Sequence, residues 1–180
     1  LVGNVEPANV AGNIDDPAKA IGVNHLAILT AAATLRLPVG DTQTSVDSGG
    51  FPLTLTAAAE GACFLGLITG NGPLRIEAET DASKPLEIAG PASNSFRGPA
   101  TLARGMLRLN KPAGALAISG NLTLGGSEFG SESQGVIWAA DGQISPAAII
   151  TIAGEQSAFL DLAGHRAVVS QVLLSSRGQI

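Results

Sequence analysis

The sequence predicts an all-β chain wound into a right-handed parallel β-helix, and three observations carry that expectation. Short apolar-x-apolar units recur along its length, Gly- and Pro-rich breakers separate them, and charged residues are too few to coat long helices. The units are Leu35-Arg36-Leu37, Leu53-Thr54-Leu55, Leu74-Arg75-Ile76, Leu86-Glu87-Ile88, Leu107-Arg108-Leu109, Leu122-Thr123-Leu124, Ile150-Thr151-Ile152 and Leu160-Asp161-Leu162. Alternation at period two puts the flanking Leu or Ile on one face and the middle residue on the other. Each unit therefore reads as a short, half-buried strand.

A strand of three residues cannot bury a face alone. Successive units lie roughly 9–13 residues apart in several places and about twice that in others, an imperfect repeat. Coils of about 20 residues with two or three strands each would align the Leu and Ile side chains into ladders. Roughly seven or eight coils follow, a rod some 35–40 Å long at about 4.8 Å per coil. Breakers fall where coils must turn, as at Gly49-Gly50, Gly70-Asn71-Gly72-Pro73, Gly90-Pro91, Gly98-Pro99 and Asp141-Gly142. The polar stretches 40–50 and 125–135 read as loops protruding from the rod. A short helix is expected only over 15–21, with Asp15 or Asp16 as N-cap, Pro17 in the first turn and Gly22 as terminator. The organisation expected is an N-terminal coil or lateral capping segment over 1–24 and the β-helix over 25–180. Both ends read as cuts in a longer solenoid.

Composition narrows the function classes. Hydrophobic residues make up 45% and charged residues 14%, and the formal net charge is −5. Arginines are scattered singly with no basic stripe, which argues against nucleic acid and anionic membrane partners. No apolar run approaches 18 residues, so no membrane-spanning helix is expected. The single cysteine, Cys63, lies in the apolar run Ala62-Cys63-Phe64-Leu65 and reads as a small buried hydrophobe that makes no internal disulfide.

Residues 93–126 are more specific. The run Ser93-Asn94-Ser95-Phe96-Arg97-Gly98, a short strand, then Gly105-Met106-Leu107-Arg108-Leu109-Asn110-Lys111 resembles the passenger-associated repeat of bacterial autotransporters. The likeness continues through Ile118, Leu122 and Leu124 to Leu160 and Leu162, covering about residues 93–180. It implies a parallel β-helix exported to the cell surface or beyond, a stalk or scaffold for adhesion, biofilm or display. The structural positions it singles out are Asn94, Phe96, Gly98, Gly105, Leu107, Leu109, Ile118, Leu122, Leu124, Leu160 and Leu162. Residues 1–92 keep the rhythm without the repeat's fixed letters, and no translocating barrel is present in the sequence. Asn94 has a reason of its own: its amide can bond the backbone of a neighbouring coil, or extend a stacked Asn ladder, or merely favour a turn.

Chemistry-bearing patterns are sparse. His25 and His165 lack partners at ligand spacing, and no Gly-x-Ser-x-Gly or phosphate-cradling loop occurs. Asp41, Asp47 and Glu60, with Arg36 nearby, are the carboxylates nearest to a lyase-like set, but they fit no calcium-loop spacing and read as solvated. Trp138 in Val136-Ile137-Trp138-Ala139 reads as core or rim packing rather than a sugar platform. The expected function is a non-catalytic stalk without cofactor, whose partners are further coils, end-to-end or lateral copies of itself, or a surface glycan or protein. The alternatives are an adhesin binding through loops 40–50 and 125–135, or a β-helix polysaccharide lyase or hydrolase.

Overall fold

The computed structural model describes residues 8–14, 26–57, 61–78, 84–125, 134–153 and 158–174. Among them there are fifteen strands and no helix. They are β1 (Ala8–Ile14), β2 (Leu26–Leu37), β3 (Gly40–Thr42), β4 (Ser45–Asp47), β5 (Leu53–Ala57), β6 (Ala62–Phe64), β7 (Ile68–Thr69) and β8 (Leu74–Ala78). There follow β9 (Leu86–Ile88), β10 (Ala100–Leu109), β11 (Leu122–Leu124), β12 (Gln134–Trp138), β13 (Ile149–Ile152), β14 (Ala158–Asp161) and β15 (Gln171–Leu174). The helix expected over 15–21 falls outside the described residues.

Each strand pairs in parallel with the strand about one turn away, never with its chain neighbour through a hairpin. Such connectivity requires a crossover between partners, and here the crossover is the rest of the coil. The result is a parallel β-solenoid of about six turns. On its best-formed face the rungs are Ala33, Leu53, Leu74, Ala100, Leu122, Ile150 and Val172, at intervals of 20, 21, 26, 22, 28 and 22 residues. Register is kept because length differences are taken up at corners. β1 adds a further rung by pairing with β2.

Three faces enclose the core. The first is laid by the start of β2, then β4 and β7, and continues through backbone bonds from Ser95 to Ile68 and Arg97 to Gly70, to the Ile118–Ile144 bridge. The second carries the end of β2, then β5, β8, the start of β10, β11, β13 and β15. The third carries β3, β6, β9, the end of β10, β12 and β14. Inward residues of the second face, Leu35, Leu55, Ile76, Leu102, Leu124 and Ile152, are fully buried and stand in register. Their outward neighbours Thr34, Thr54, Arg75, Thr101, Thr123 and Thr151 form a parallel column. Branched Thr suits a pleated, half-exposed surface.

Two places depend on missing side chains. In β10 the chain swings from the second face to the third at Gly105, whose φ is +76°. A Cβ there would collide with the carbonyl of Ala78 on the preceding rung. At the corner between first and second faces, Gly72, Gly98 and Gly120 stack so closely that a Cβ on each would strike the carbonyl above it, of Phe51, Gly72 and Gly98 respectively. Glycine is thus required by rung spacing at that corner.

The stretch 40–50 departs from the expected protruding loop. It supplies β3 and β4, two regular rungs, because Thr42 and Val46 turn inward while Asp41 and Asp47 remain outside. Of 125–135, residues 126–133 fall outside the described residues, and the last two begin β12.

Candidate functional site

The positions singled out from the sequence lie mostly in the core ladder. Phe96, Leu107, Leu109, Ile118, Leu122 and Leu124 are fully buried. Gly98 and Gly105 occupy the tight corners just described. Leu160 packs partly against the core, whereas Leu162 lies beyond the end of β14 and is 40% exposed.

Asn94 reaches along the solenoid axis. Its Oδ1 accepts the Ile68 amide at 3.0 Å on the preceding rung, and its Nδ2 donates to the Ala117 carbonyl at 2.8 Å on the following one. One buried amide thus ties three turns together where strand pairing lapses. No second asparagine stacks on it among the described residues, so the arrangement is a bridge rather than an Asn ladder. Asn94→Ala is expected to leave the Ile68 donor and the Ala117 acceptor buried without partners, costing about 2–4 kcal/mol. Urea unfolding of the variant measures the loss, and a cost below about 0.5 kcal/mol would count against the bridge.

The corner between the third and first faces carries further buried polar groups that the sequence did not announce. Lys111 is 1% exposed and donates from Nζ to the Ala89 carbonyl at 2.7 Å. Gln143, wholly buried, brackets its backbone: Oε1 accepts from Lys111 N and Nε2 donates to Lys111 O, both at 2.8 Å. Nothing in the local sequence distinguishes this lysine from a solvated one, since the signal lies in which corner the coil places it.

Burial pulls the Lys111 ammonium down to about 8, against which only the nearby Cys63 thiolate would act. Cys63 itself is pushed up to about 12, first by burial and then by the carboxylates of Glu87 and Asp41. Its side chain points outward from β6 and is half-buried, because alternation turns Ala62 and Phe64 inward. This corrects the expectation of a core thiol, and the raised value makes it a poor nucleophile.

Between about pH 8 and 10.5 the unfolded chain holds the lysine proton that the folded chain has released, so stability rises with pH across that interval. The thiol acts oppositely from pH 9 upward, since the unfolded form ionises first. A net gain of about 1 kcal/mol is therefore expected between pH 7 and 9, levelling above. Urea midpoints at the two pH values should show it, and Lys111→Met should abolish the rise.

The remaining polar candidates do not converge. Asp41 lies on the third face and Asp47 on the first, while Glu60 and His25 fall outside the described residues. His165 Nδ1 stands 3.3 Å from Asp141 Oδ1 at an exposed corner. The Arg166 amide, followed by His165, holds that carboxyl below its usual range. Among the described residues no three His, Cys, Asp or Glu side chains gather as a metal site. Trp138 is 1% exposed in the ladder above Leu109.

No protein-family model, curated protein or solved structure matches this chain. The interior ladder, with the polar corner beside it, is the feature that the described residues build most fully.

Proposed function

We propose that this chain is a structural segment of a bacterial extracellular or cell-surface protein, a spacer whose working part is the stack itself. The observation that carries the reading is the unbroken second-face ladder, seven in-register rungs from Ala33 to Val172 whose inner side chains make one apolar column. Such a column extends reach by a fixed step per turn, about 4.8 Å, whatever the corners carry. Buried Asn94, Lys111 and Gln143 are spent on cross-rung backbone bonds, which serve rigidity rather than a ligand. The likeness of residues 93–126 to the passenger-associated repeat supports placing the spacer outside the cell, as part of an autotransporter-like adhesin or biofilm protein.

Removing one whole turn, residues 101–122, joins Ala100 to Thr123 in the same register. The spacer reading expects that variant to fold and to shorten by about 5 Å in small-angle scattering. A glycan array should stay silent with the intact chain. Saturable binding to a defined glycan would move the function from the column to a surface site.

A further inference from the structure

We draw no further inference here: the strongest candidate, the exposed apolar patch of Val172, Leu173 and Leu174 on the last described rung of the second face, carries nothing because no observation in the structure shows what covers it.

Discussion

Leu102→Ala is expected to destabilise the chain by about 3–4 kcal/mol, a large share of the stability of a domain this size. Leu102 is fully buried in the middle of the inner column, in register with Ile76 on one side and Leu124 on the other. Truncation opens a gap that neither neighbour can close, because both are fixed by strand pairing to their own rungs. The loss should appear as a lower urea midpoint with an unchanged slope. Thr101→Ala, next to it but facing outward, should cost less than about 1 kcal/mol. Equal effects at the two positions would mean that 102 does not point inward.

Gly105→Val is expected to be more severe, preventing the native fold rather than weakening it. Two penalties coincide: a β-branched residue at φ +76°, and a Cβ driven into the Ala78 carbonyl of the adjacent rung. Neither can relax alone, since moving the backbone breaks the pairing of β10 with β8 or with β12. Soluble expression and circular dichroism provide the readout. Gly50→Val, at a corner where a Cβ meets nothing, serves as the tolerated control.

Most of the second and third faces was legible in the sequence, because their rungs carry two inward apolar residues around one outward residue. Seven of the eight apolar-x-apolar units lie wholly in strands, and the eighth begins in β14 and ends with Leu162 just past it. The first face was not legible. Its rungs, Ser45–Asp47 and Ile68–Thr69, bury a single apolar side chain each, and one inward residue produces no alternation to read. The stretch 40–50 looked like a loop for that reason. Its polar letters are outward residues and corner hydroxyls, such as Ser48, whose Oγ donates to the Thr69 carbonyl.

Asn94 was legible because asparagine in a turn has a recognised use in bonding backbone. Lys111 and Gln143 were not, because burial of a lysine or glutamine depends on which residues the coil stacks above and below. Coil lengths of 20 to 28 residues make that vertical neighbour unreadable from local spacing. The same variation accounts for the small difference between the seven or eight coils expected and the about six turns among the described residues, a rough agreement.

Spin-label distances test the stacked column most directly. In a Cys63→Ala background, labels at Thr34 and Thr123 stand four rungs apart, and labels at Thr34 and Thr151 five. The solenoid predicts separations near 19 and 24 Å, rising by about 5 Å for one rung although 28 residues intervene. A second distance equal to or shorter than the first, as in strands folded back into two antiparallel layers, would contradict it.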